Sequence, residues 1–238
     1  MIGKERLGYD AIIARLQALA NPANVAGMAR YGIRAGKAYG VVVPELRKLA
    51  KEAGTDHELA RRLWAETSRE ARVIASLVAD PRLLGEEQLE VWARDFDTWE
   101  ACDQTCMNLF ARSPLAHAKA LEWSERPEEF VKRAGFVLMA RLAHRDNADP
   151  DGRFLPFLDA IAREAGDGRN FVKKAVNWAL RDIGKRNLSL NARAVALARE
   201  LKESKAPAAR WVAADALAEL EGEAVQSRLH RRADAPSL

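Results

Sequence analysis

Cysteine is almost absent from this sequence: Cys102 and Cys106 are the only two in 238 residues. So small a pair excludes a disulfide framework, and no second ligand pair at zinc-like spacing lies nearby, so no metal is expected. Histidine is nearly as scarce, with His57, His117, His144 and His230 scattered without a partner. No Ser-His-Asp or Gly-x-Ser-x-Gly arrangement is present. Tyr39-Gly40-Val41 lacks both the glycine pattern and the Lys-Ser/Thr end of a phosphate loop. Cofactor chemistry is therefore not expected. No apolar run approaches the roughly 20 residues of a membrane span. The opening MIGKERLGYDAIIARLQALA breaks its apolar residues with charge, unlike a secretory signal. These absences point to a cytoplasmic protein with no membrane partner.

What is present has an ordinary soluble balance. The chain is 48% hydrophobic and 30% charged, with a mean hydropathy of -0.30. The net charge of +4 permits nucleic-acid binding without requiring it, so the placement of the cations matters more than their number.

Ala, Leu, Arg, Glu and Lys dominate, and no alternating β-branched run is long enough for a sheet strand. Val41-Val42-Val43 is the one strand-like patch, and Pro44 closes it. The reading is all-α. Helices are expected over 9–20, 23–31, 44–53, 56–65, 68–79, 86–95, 98–110, 114–123, 127–144, 154–165, 170–187, 189–202, 206–220 and 223–231. Proline and asparagine punctuate them at Asn21-Pro22, Pro44, Asp80-Pro81, Ser113-Pro114, Arg126-Pro127, Asp149-Pro150 and Ala206-Pro207. Short connections make neighbours antiparallel, and from Asp56 onward the helices pair as 56–79, 86–110, 114–144, 154–187 and 189–220. Each pair covers roughly 24 to 34 residues, near the period of HEAT-like repeats that stack into a curved solenoid. An irregular helical bundle is the competing architecture. One domain is expected over 1–230, with a loop at His144–Gly152 between repeats and a flexible tail at 231–238.

Helix 170–187 carries two stripes. Val172, Ala175, Val176, Ala179, Leu180 and Ile183 form an apolar one, while Lys174, Trp178, Arg181 and Lys185 follow the same period on the opposite side. Cations can neutralise a phosphate backbone beside an aromatic platform, or they can simply remain solvated while Trp178 covers the next repeat. Other second helices carry cations early: Arg69 and Arg72, Lys132 and Arg133, Lys173 and Lys174, and Arg210. Helix 127–144 is apolar on nearly every side, so Arg133 should be buried and must find a partner, structural or phosphate.

In Asp97-Thr98-Trp99-Glu100-Ala101-Cys102-Asp103, Trp99 and Asp103 share a face one turn apart, continued by Cys106 and Phe110. Asp103 should therefore be desolvated, as a site carboxylate or as half of a structural ion pair. Glu100 points elsewhere on the helix and is expected in solvent.

Four segments resemble AlkD-like DNA alkylation repair proteins. They are Tyr39-Gly40-Val41 with Pro44 to Lys51, Glu70-Ala71-Arg72, Trp99-Glu100-Ala101-Cys102-Asp103, and Val172 to Lys185 around Trp178. In the family's order, they cover about residues 25 to 220. The resemblance implies a HEAT-like solenoid gripping duplex DNA that contains alkylated bases. It implies hydrolysis of the N-glycosidic bond of cationic purines alkylated at N3 or N7, and a lesion that stays stacked. Asp103 matches the family's catalytic Asp, Trp99 and Trp178 its two active-site tryptophans, and Arg133 best matches its arginine. Arg72, Lys132, Lys174, Arg181, Lys185 and Arg210 are the expected DNA-contacting cations. A monomer is expected. Two rivals use the same solenoid: a non-catalytic binder of DNA structures, and a protein–protein scaffold.

Overall fold

The computed structural model describes residues 6–33, 36–145 and 149–234. Residues 146–148 of the expected inter-repeat loop, and 235–238 of the expected tail, lie outside the described residues. The chain divides into two compact units, residues 1–114 and 115–238. Their division falls at Ser113-Pro114, one of the turns marked in the sequence.

The first unit contains α1 (Tyr9–Ala18), α2 (Pro22–Met28), α3 (Val43–Ala53), α4 (His57–Ala65), α5 (Arg69–Val78), α6 (Glu86–Arg94) and α7 (Trp99–Asn108). The second contains α8 (Ala116–Ser124), α9 (Glu129–Arg145), α10 (Leu155–Glu164), α11 (Asn170–Gly184), α12 (Leu188–Lys202), α13 (Pro207–Leu220) and α14 (Glu223–Ala233). Single 3-10 turns at Ala29–Tyr31, Phe110–Arg112 and Asp151–Arg153 complete them. No strand occurs among the described residues. The valine patch does not extend: Val41 is buried, Val42 is exposed, and Val43 already belongs to α3, whose second position takes Pro44. At the far end α14 continues to Ala233, past the boundary expected at 231.

Local chemistry sets the helix starts. The side chains of Asn21, Asp56, Ser68, Thr98 and Asn187 each accept a backbone N–H from the first turn of the helix that follows. Gly54 ends α3 at φ 73°, a positive value that a Cβ would strain. Packing then builds layers within each unit. In the first, α5 lies against α3, α4 and α7; in the second, α9 packs on α8 and α11, and α13 packs on α11 and α12. The apolar stripe of α11 is entirely buried in this way, from Val172 to Ile183. Within each unit the second helices of the pairs therefore pack side by side, α5 on α7 in the first and α9 on α11 on α13 in the second.

Helices α8 and α9 approach closely at Gly135. A Cβ at Gly135 would stand 2.6 Å from the Ser124 backbone nitrogen and 2.9 Å from the Ala120 carbonyl oxygen. Backbone atoms cannot rotate aside as a side chain can. Gly135→Ala is therefore expected to destabilise the fold by about 1–3 kcal/mol despite alanine's better helix propensity. A melting temperature equal to wild type would contradict this account of the α8–α9 contact.

Candidate functional site

Helix α7 begins where Thr98 Oγ1 accepts the Ala101 N–H at 3.2 Å, which places Trp99 at the first helical position. The indole is half-buried, and its Nε1–H donates to the Tyr31 carbonyl at 2.8 Å. Tyr31 itself is 74% exposed. One turn further on, Asp103 is 7% exposed, with Cys102 and Cys106 fully buried beside it in the helix. The two residues expected to share a face are thus held together: a tryptophan with one edge tethered, and a carboxylate withdrawn from water.

Glu100 corrects the sequence expectation. It is only 8% exposed, and accepts two hydrogen bonds from Arg69, from Nε at 2.7 Å and Nη2 at 2.6 Å. The second arm of Arg69, Nη1, reaches the Val41 carbonyl at 3.0 Å and Glu70 Oε1 at 2.9 Å. Glu70, fully buried, accepts the backbone N–H groups of Tyr39 and Gly40, each at 2.9 Å. Burial opposes the charge on Arg69, but the hydrogen bonds and field of Glu100, reinforced by Glu70, outweigh it and raise the guanidinium pKa. Glu100 is buried because α5 packs on α7 and brings Arg69 to it. Helical period within α7 alone carries no sign of that neighbour. Glycine is required at position 40, where the chain turns at φ +78° and a Cβ would lie 2.2 Å from the Asn21 carbonyl oxygen. Only a residue without a Cβ adopts that conformation freely.

Arg72, expected to meet DNA, is spent on its own unit. Its Nη1 donates to the Asp95 carbonyl at 2.9 Å, and its guanidinium lies 5.3 Å from the ring centre of Trp64.

In the second unit, Lys132 is 8% exposed and bonds Glu164 at 2.6 Å, with Asp167 at 3.7 Å. Arg133 is buried as expected, and its Nη1 donates to the Phe171 carbonyl at 2.6 Å. Both side chains face the turn between α10 and α11. Lys174 and Arg210 are exposed; Lys174 has no ion pair among the described residues, while Arg210 caps the carbonyls of Ser204 and Lys205.

The remaining cations of the α11 stripe are matched by acids from α13. Arg181 forms ion pairs with Asp215 and Glu219, both at 2.8 Å, and Lys185 with Glu219 at 2.9 Å and Asp182 at 2.7 Å. Asp215 also accepts Asn177 Nδ2 at 2.6 Å. That bond, then Arg181, lowers its pKa against the effect of burial. Trp178 stands among them with its Nε1–H fixed to Asp182 at 2.8 Å.

Trp178 lines a cleft with Asp182, Lys185 and, from α9, Arg141. Arg133 is not in it. The reason is the register of α9 and α11: Arg133 bonds a residue 38 positions on, so the α9 residues level with Trp178 lie near 140. The sequence reading misses Arg141, although the repeat period points to it. Among the described residues, no cluster of acids, cysteines or histidines is arranged to hold a metal ion, and no helix is long and apolar enough to cross a membrane.

A family model described as DNA alkylation repair enzyme matches residues 12–220. Among solved structures, the chain is similar to a protein of a family related to the HEAT-like repeat DNA glycosylases, with affinity for branched DNA structures. The TM-score is 0.76 at 19% identity, over 93% of this chain and 96% of that one. The fold is thus a HEAT-like helical repeat. No curated protein sequence matches.

Proposed function

Because this chain belongs to the DNA alkylation repair enzyme family, we propose that it is a DNA glycosylase acting as a monomer on duplex DNA. In this reading it hydrolyses the N-glycosidic bond of purines made cationic by alkylation at N3 or N7. The observation that carries the proposal is the pair on α7, a buried Asp103 one turn from a tethered Trp99.

An alkylated purine already bears positive charge, so it departs with the electron pair of the C1′–N bond and needs no general acid. Positive charge then develops on the sugar, as in glycoside hydrolysis generally. A single fixed carboxylate, Asp103, opposes that charge and orients the water, whose oxygen bonds C1′ as its proton passes to the carboxylate and on to solvent. The Trp99 face meets polarised sugar C–H groups. Trp178 takes the second indole role that the family resemblance implies. Arg141 replaces Arg133 as the arginine beside it, because Arg141 shares the Trp178 cleft. Of the cations expected on the DNA backbone, Lys174 is exposed and has no acid partner among the described residues, which suits phosphate contact. Arg181, Lys185 and Lys132 reach DNA only by sharing or surrendering their carboxylate partners.

The test is incubation with methylated duplex DNA and chromatography of the released bases. Free 3-methyladenine or 7-methylguanine above the spontaneous rate is expected; none would refute catalysis. A second reading is favoured by the solved relative with affinity for branched DNA structures. It is a non-catalytic binder, and it predicts tight binding to four-way junctions with no base release.

A further inference from the structure

The cleft beside Trp178 is completed by a helix that the family match does not reach. That match ends at residue 220, whereas α14 spans Glu223–Ala233. Arg228 and Arg232, one turn apart on α14, line the cleft together with Arg141, Lys185 and Arg186. The cleft holds about 440 Å³ and contains one carboxylate, Asp182, already engaged by Lys185 and the Trp178 indole.

Cations often gather at helix C-termini merely to satisfy carbonyls. Arg186 does so, donating to the carbonyls of Ala143 at 2.8 Å and Asp149 at 3.0 Å. Arg141, Arg228 and Arg232 do not: among the described residues, none has an acid or carbonyl partner. The Nε atoms of Arg141 and Arg228 are buried without any hydrogen-bond acceptor among those residues. A buried guanidinium donor with no acceptor is costly, and three cations converging on one space repel one another. An anion relieves both.

We propose that this cleft is a phosphate-binding site, in which Arg141, Arg228 and Arg232 hold one phosphodiester of a DNA strand and its sugar lies against Trp178. The inference rests on the DNA-binding part of the proposed function and not on base release. Guanidinium is suited to the task, since its planar fork offers paired donors to phosphate oxygens. A contact to the phosphodiester carries no sequence information, so binding at this site is expected to be indifferent to sequence.

The test compares wild type with the Arg228→Ala, Arg232→Ala double variant, using fluorescein-labelled duplex and anisotropy across a salt series. The double variant is expected to bind roughly tenfold more weakly at moderate salt, with the log–log salt slope shallower by about one. The Arg228→Lys, Arg232→Lys variant should recover most of the slope, because charge is retained while the fork is lost. Arg232 is exposed, so Arg232→Ala alone, checked by thermal melting, gives the same reading if the double variant unfolds. Wild-type affinity and slope in the folded variants would overturn the inference while leaving the glycosylase reading intact. A lower melting temperature with an unchanged slope would also overturn it, assigning the arginines to helix ends. Wild-type protein that binds no DNA would overturn the site and the proposed function together; one that binds but releases no base would refute only the catalysis.

Discussion

Asp103→Asn is expected to cut base release from methylated duplex by about a hundredfold or more, while DNA affinity and melting temperature stay close to wild type. The amide preserves shape and hydrogen-bonding capacity at a position only 7% exposed. What it loses is the negative charge facing the sugar cation. Such preorganised charge acts strongly because a buried carboxylate is weakly screened by solvent and no dipoles need reorient as the bond breaks. If Asp103 serves only to balance a buried cation, the same substitution leaves that cation uncompensated, and stability falls by about 3 kcal/mol or more. Activity would then decline only through unfolding. Single-turnover base release and a thermal melt on one preparation separate these outcomes. A folded variant with wild-type release rates would remove Asp103 from the chemistry.

The largest stability effect is expected at Arg69. Arg69→Met keeps most of the volume but strands Glu70 and Glu100 as buried carboxylates, and should cost about 3–5 kcal/mol. For a chain of this size that is a fall of roughly 6–20 °C in melting temperature. Arg69→Lys should restore little, because an ammonium cannot reproduce two parallel bonds to Glu100 and reach the Val41 carbonyl as well. Adding Glu100→Gln to Arg69→Met should recover part of the loss, since one stranded charge is removed; strictly additive effects would show that the pair is not coupled. Trp99 adjoins Glu100 and is tethered to Tyr31, so loosening this network should also lower base release in the fraction that remains folded.

Much of this protein is legible in its residues alone, for a definite reason. Helix periodicity and caps are local properties, written over about ten residues at a time. The span 170–187 announces α11 through its stripe from Val172 to Ile183, and Thr98 followed by Trp99 announces the start of α7. Burial of Asp103 and Arg133 also follows from one helix read alone, because each sits on a face whose neighbours are apolar. What faces a helix from outside is not local. Glu100 has a solvent-like position on α7, yet Arg69 arrives from 31 residues away and buries it. The cations of α11 read as a free basic stripe until α13 brings Asp215 and Glu219, 34 residues on, against Arg181 and Lys185. Sequence determined the all-α helix order, the core stripes and the Trp99–Asp103 pair. Tertiary packing alone decided which cations meet acids from another helix, and put Arg141 rather than Arg133 beside Trp178. Charge pairing depends on register between separate helices, and that register is set by the packing of all their side chains at once.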